Sequence, residues 1–337
     1  MRMTILTLTL CCFVSMARAQ TPPPILDVHL HAMSVSEFGG RSVAICAPFD
    51  RSHAWDPGRQ TYNEFFAEVY LAGNGCSDPL WSPDTDEDLM RQTVEVMERR
   101  NVYGVLSGSP ERVAAWQAAA PGRFIPGLFF MLSEHAAITP DSLRRLIDTG
   151  AMEVFGEVSN WYDGMPPDDE RMEPYWVVAE SLDVPVALHL GLGRPGEPYA
   201  GYGARGRLIS ALTLEEMLVR HPRLRLYVMH AGYPLLDDLL TLLYNHPQVY
   251  VDVGVIVFTL PRPAFYRYLQ GIIEAGFGSR VMFGSDQGWW PETIERAIAV
   301  IEETPFLSEQ QKRDILYHNA ARFLRLSEEE IARHHGR

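Results

Sequence analysis

The chain has 337 residues, 47% of them hydrophobic, enough to bury one large core or two ordinary ones. Its 43 acidic residues against 29 basic ones give a formal charge of −14, which excludes a generic nucleic-acid binder, because such binding leans on Lys and Arg at phosphates. The single lysine, Lys312, lies in a charged stretch far along the chain, which excludes a P-loop lysine and argues against Schiff-base chemistry.

Residues 1–19 carry a basic Arg2, an apolar run and the small-residue ending Ala17-Arg18-Ala19, the pattern of a cleaved secretory signal. The run is too short to remain as a membrane span, Leu10 before Cys11 does not suit lipoprotein processing, and no later stretch is long and apolar enough to cross a bilayer. The expected product starts near Gln20 and is exported, periplasmic or extracellular, with no stable membrane anchor; losing Arg2 and Arg18 makes it more acidic still.

Ile25-Leu26-Asp27-Val28-His29-Leu30-His31 reads as a strand. Side chains at i and i+2 share a face, so His29 and His31 can chelate one cation while Val28 and Leu30 face the apolar side. Residues 32–83 follow as a Gly-, Pro- and aromatic-rich insertion containing Cys46 and Cys76, which in an oxidising compartment read as a disulfide. The insertion comes directly after the first strand, so it is expected over the face where that strand ends.

From residue 84 the chain alternates. A helix is expected over 84–100, with acidic residues in its first turn and arginines in its last. Further β-prone runs cover 102–106, 124–130, 152–158, 184–190, 224–230, 249–253 and 281–283. Helical patterns cover 110–120, 141–149, 174–182, 212–220, 235–245, 263–275 and 292–303. Eight strand–helix units predict an α/β fold, a (β/α)8 TIM barrel formed by residues 20–337 as one unit.

In such a barrel chemistry gathers at the C-terminal strand ends. His31 ends the first strand, Glu157 the fourth, His189 the fifth, His230 the sixth and Asp286 the eighth. Imidazoles and carboxylates in one ring suit a divalent metal, Zn2+ first and Mn2+ or Fe2+ with the same donors. His221 and His246 precede prolines at helix ends and read as caps, and His334 and His335 read as a frayed tail.

Asp27-Val28-His29-Leu30-His31, the strand-ending His189 and His230, Phe283-Gly284-Ser285-Asp286 and Asn319-Ala320-Ala321-Arg322-Phe323-Leu324 together resemble the amidohydrolase superfamily. Within it the chain is similar to the amidohydrolase-related group that contains aminocarboxymuconate-semialdehyde decarboxylase. The resemblance spans nearly the whole chain after residue 20. It implies that His29, His31 and Asp286 bind a first metal, and that in binuclear members a fourth-strand acidic group bridges to a second ion on His189 and His230. A carboxylated lysine cannot bridge here, whereas Gly156-Glu157 resembles the Gly-Glu of TatD-like metal-dependent hydrolases. In mononuclear members His189 completes the single site and His230 turns to the substrate.

Asp286 and His230 are therefore the expected catalytic residues, for a metal-dependent hydrolase of a small-molecule amide, ester or lactone. A metal-dependent carboxy-lyase of an aromatic or unsaturated acid is the alternative, and a non-catalytic binding barrel the third reading. Trp161, Arg194, Arg205 and Trp289, on loops after strands four, five and eight, are expected to contact a small, ring-bearing or carboxylated substrate. The number of metals, one or two, and any homo-oligomeric state are left open.

Overall fold

The structure is a computed structural model that describes residues 22–336. The signal sequence and its cleavage point at Gln20 lie outside the described residues.

Eight strands form one parallel sheet in chain order: β1 (Ile25–His31), β2 (Val102–Gly108), β3 (Phe124–Phe130), β4 (Val154–Val158), β5 (Val186–His189), β6 (Leu226–Met229), β7 (Tyr250–Asp252) and β8 (Val281–Met282). Between them run α1 (Asp86–Arg100), α2 (Pro110–Ala119), α3 (Pro140–Asp148), α4 (Glu173–Ser181), α5 (Glu215–Arg220), α6 (Leu236–Asn245) and α7 (Arg262–Glu274), with α8 (Glu292–Glu302) after β8. The first and last strands meet through Val28 N–H on Phe283 O at 3.0 Å and Asp286 N–H on His29 O at 2.7 Å, which closes the sheet into a TIM barrel. All eight strands and their helices stand where the apolar runs predicted them. Strands buried on both faces are continuous apolar runs and are read directly.

A larger core, including Leu30, Leu106, Leu128, Phe155 and Leu188, fills the layer between strands and helices. A second cluster joins Leu26, Val28, Val105, Val154, Tyr227 and Met282 to Tyr317 and Phe323 of the C-terminal helices. Val28 and Leu30 were expected on one apolar face. A register shift between Asp27 and Leu30 sends them to different clusters instead. Gly156 lets β4 approach β5, since a Cβ there would lie 2.2 Å from that of Ala187.

The C-terminal tail is not frayed. His334 ends a helix (Glu328–His334) and is buried, stacked on Tyr103 at 3.8 Å and hydrogen-bonded to Tyr317 Oη at 3.0 Å. His221 and His246 do cap α5 and α6, with backbone N–H groups on Met217 O and Leu242 O. The His221 imidazole also bridges Glu173 and Glu180 at 3.0 and 3.2 Å, tying α5 to α4.

The insertion is more ordered than its sequence suggests. Ala44–Cys46 pairs antiparallel with Pro79–Trp81, and Cys46 and Cys76 form a disulfide. Tyr62, Phe65 and Tyr70 make a small core of their own with Phe49, Trp55 and Phe66 against them. The unit is fastened over the C-terminal strand ends: Tyr62 Oη donates to Pro195 O at 2.7 Å, Phe49 N–H to Thr259 O at 2.9 Å, and Trp290 Nε1 to Val43 O at 2.9 Å. Closing a loop with a sequence separation of 30 stabilises the fold by about 3–4 kcal/mol in the chain-entropy account. Denatured, unreduced protein should therefore show no free thiol, and Cys46→Ser with Cys76→Ser should lower stability by that amount; two titratable thiols would remove the bond.

Candidate metal centre

β1 brings His29 and His31 to the barrel axis, and their Nε2 atoms face each other at 3.1 Å. Glu157 Oε2, from β4, lies 3.4 and 3.1 Å from the same two nitrogens. Asp286 Oδ1 lies 3.5 and 3.1 Å from them. Donors about 2.0–2.1 Å from a common Zn2+ stand about 3.4 Å apart at tetrahedral angles and about 2.9 Å at right angles. The observed spacings, 3.1–3.5 Å, lie close to those values, so His29, His31 and Glu157 stand at metal-donor distances from one another and Asp286 stands so from the two histidines.

A second convergence shares Glu157. Its other oxygen, Oε1, makes a short contact with His189 Nδ1 and accepts from Ser159 Oγ at 2.8 Å. His230 Nε2 faces His189 Nδ1 at 3.0 Å. His230 Nδ1 is 3.0 Å from Gly254 O, so that nitrogen carries the proton and Nε2 is the bare donor. Glu157, His189 and His230 are thus a possible metal triad, as are His29, His31 and Glu157. Two pairs of imidazole nitrogens confronting each other in a buried site need a proton or a cation between them.

The charges agree. Burial opposes a charge on His31, yet hydrogen bonds donated to the Asp286 and Glu157 carboxylates lift it to about 9. His29 is likewise raised despite burial, by the charges of Asp286 and Asp252. Glu157 and Asp286, against their own burial, are held ionised: His189 pulls Glu157 well down, and His29 with His31 takes Asp286 to about 2. His230 is lowered to about 4 by burial and by its neighbours His189 and His29. The pocket is built for positive charge, which a divalent ion would supply in place of protons on the imidazoles.

His230 and Asp286 hold left-handed backbone, φ 58° and 53°, uncommon outside glycine and often found at working sites. His230 opens a turn, His230–Gly232, and Asp286 lies beyond β8 (Val281–Met282), so neither ends its strand as expected.

Two supporting residues were missed in the sequence. Asp252, fully buried at the end of β7, accepts from His29 Nδ1 at 3.1 Å and from His230 N–H at 3.0 Å, so it turns His29 Nε2 to the centre. A carboxylate closing an apolar run was the signal, and it was present in Tyr250-Val251-Asp252. Gln287 clamps the His31 backbone, accepting its N–H at 2.9 Å and donating to its carbonyl at 2.6 Å. Asp252→Asn should weaken metal binding about 10–100-fold with the fold intact; unchanged affinity in a chelator competition would contradict that role.

The four expected substrate contacts fare differently. Trp161 is buried and stacks on His189, ring centres 5.5 Å apart. Arg194 is engaged by Glu197 at 2.8 Å, and Arg205 is exposed with Nη1 on Ala204 O. Trp289 lies edge-on to Phe38 and donates Nε1 to Ser34 O, joining the loops after β1 and β8.

The amidohydrolase family profile matches residues 26–326. The chain belongs to the amidohydrolase family. Among curated proteins, fluG of Emericella nidulans is 24% identical over 180 residues, a match covering 46% of this chain and only 20% of that protein. Among solved structures, 5-carboxyvanillate decarboxylase of Sphingomonas paucimobilis superposes with a TM-score of 0.55 at 16% identity, covering 90% of this chain and 100% of that one. A protein of Acinetobacter baumannii assigned as a 2-pyrone-4,6-dicarboxylic acid hydrolase gives 0.56 at 15% identity, over 90% and 99%. At such identity the likeness to these amidohydrolase structures is one of fold. Divalent metals are the cofactors of this superfamily, and the donors described here fit one.

Proposed function

We propose that the chain is a metal-dependent hydrolase that cleaves a small-molecule amide, ester or lactone through a metal-activated water. One observation carries the reading: the two oxygens of Glu157 face different imidazole groups, Oε2 the pair His29 and His31, Oε1 the ring of His189, whose Nδ1 is 3.0 Å from His230 Nε2. That is how a bridging carboxylate is disposed, and it favours two ions over one. His29, His31 and Asp286 would hold the first, His189 and His230 the second, with Glu157 common to both. Zn2+ is the ion proposed, with Mn2+ or Fe2+ suiting the same donors.

A bound divalent ion lowers the pKa of its water towards neutrality and polarises the scissile carbonyl. Asp286 is the more open of the two ionised ring carboxylates, its side chain 19% exposed against 7% for Glu157, so it meets the attacking water and carries its proton to the leaving group. Asp252 and Gln287 keep His29 and His31 aimed, which limits reorganisation during reaction.

The protein acts after export, in the periplasm or outside the cell; the disulfide is compatible with that compartment, and no helix among the described residues is long and apolar enough to cross a membrane. Its partner is a small molecule, neither nucleic acid nor membrane, and a homo-oligomer is compatible with every contact described. A metal-dependent carboxy-lyase is the second reading, favoured by the decarboxylase among the structural relatives. A panel of lactones, esters and amides set beside aromatic carboxylates decides: hydrolysis without CO2 release supports the first reading, and CO2 release from an acid overturns it.

A further inference from the structure

We propose that this centre takes an uncharged, ring-bearing ester, lactone or amide and discriminates against carboxylated analogues, because the arginine beside its mouth is already neutralised by a buried glutamate. The inference deepens the hydrolase reading and rests on it for the bond that is cut.

Arg194 lies on the loop leaving His189. Its Nε and Nη2 donate to Glu197 Oε2 and Oε1 at 2.9 and 2.8 Å, and its backbone N–H adds a bond to Oε2 at 3.0 Å. Glu197 is 2% exposed. Diverting Arg194 to a substrate anion would strand that carboxylate unpaired in the interior, where desolvation penalises it heavily. The guanidinium is also flanked by the rings of Phe66 and Tyr202, at 5.2 and 5.5 Å. What the pair offers a ligand is an N–H group with no net charge.

Gly193 shows what shares this space. A Cβ there would lie only 3.0–3.1 Å from the Trp161 ring, Glu197 Oε2 and Tyr162 Oη, so all three pack closely around this glycine. The rings of Trp161 and Tyr162 stand 5.5 and 5.0 Å from that of His189, which puts this cluster, Glu197 included, beside the metal donors. Inside, Glu157, Asp286 and Asp252 offset most of the charge that two divalent ions would bring. Outside, Arg205 is exposed and its charge screened, and the whole chain is acidic. A ring seated beside His189 therefore meets the aromatic faces of Trp161 and Tyr162, while a carboxylate carried on it meets Glu197 and an arginine already bonded to that glutamate.

The test uses binding and needs no turnover. Benzohydroxamic acids anchor on metal through the same head group, and can carry a 4-methoxycarbonyl or a 4-carboxylate substituent. By calorimetry on the zinc-loaded full chain, the neutral ligand should bind roughly 30-fold more tightly. Glu197→Gln leaves the Arg194 charge unpaired and should shrink that preference at least tenfold, whereas Arg194→Gln with Glu197→Gln, neutral for neutral, should keep it. Equal affinity in the wild type, or an unchanged preference in a folded Glu197→Gln, overturns the proposal; if that variant does not fold, the wild-type ratio decides alone. Preference without ester hydrolysis would overturn only the hydrolase reading, and hydrolysis without preference only this one.

Discussion

Glu157→Gln should leave the barrel folded, empty at least one metal position and lower kcat by about 1,000-fold or more, roughly 4 kcal/mol of barrier. The amide keeps the volume and the Ser159 hydrogen bond, so packing is undisturbed. It loses the charge that both imidazole pairs face. A neutral amide is a weak bridge between cations, and without the shared negative charge the two ions repel each other with less to offset it. Circular dichroism, metal analysis and turnover on one preparation check the three parts together. Full metal content with full activity would remove the bridging role and favour a single ion with His230 free for substrate.

Asp286→Asn should separate binding from proton transfer. Asparagine retains an oxygen donor near His31, so metal held by Glu157, His189 and His230 stays, while the base is gone. The expected loss in kcat is about 100- to 10,000-fold, the range for a positioned general base. Metal content should fall by at most one ion per chain. A variant with wild-type kcat would assign the proton transfer elsewhere, and one that loses all metal would make Asp286 a ligand for both positions.

The barrel was legible because its strands are buried on both sides, which leaves an uninterrupted apolar signature that helices punctuate. The ring was legible for the complementary reason: His29, His189 and Asp286 break apolar runs where desolvating a polar group needs a purpose. Asp252 breaks such a run too and was passed over, since in Tyr250-Val251-Asp252-Val253 nothing along the chain reveals that His29 is its partner. Arg194 failed in the opposite direction. A sequence displays a cation but not the buried Glu197 that neutralises it, although the spacing of three residues in a tight turn allowed the pair. The tail misled because His334 gains its place from Tyr103 and Tyr317, contacts that no local pattern encodes. The insertion hid its order because its paired strands span three residues each and its small aromatic core has no period.

The account depends most on the sharing of Glu157 between two ions, and metal stoichiometry tests that most directly. Full-length protein expressed with its own N-terminus, purified from the exported fraction without chelators and analysed by plasma mass spectrometry, should carry about two divalent ions per chain. Glu157→Gln and His230→Asn should each carry no more than one. A single ion in the wild type, retained at full occupancy when His230 is replaced, would contradict the binuclear centre.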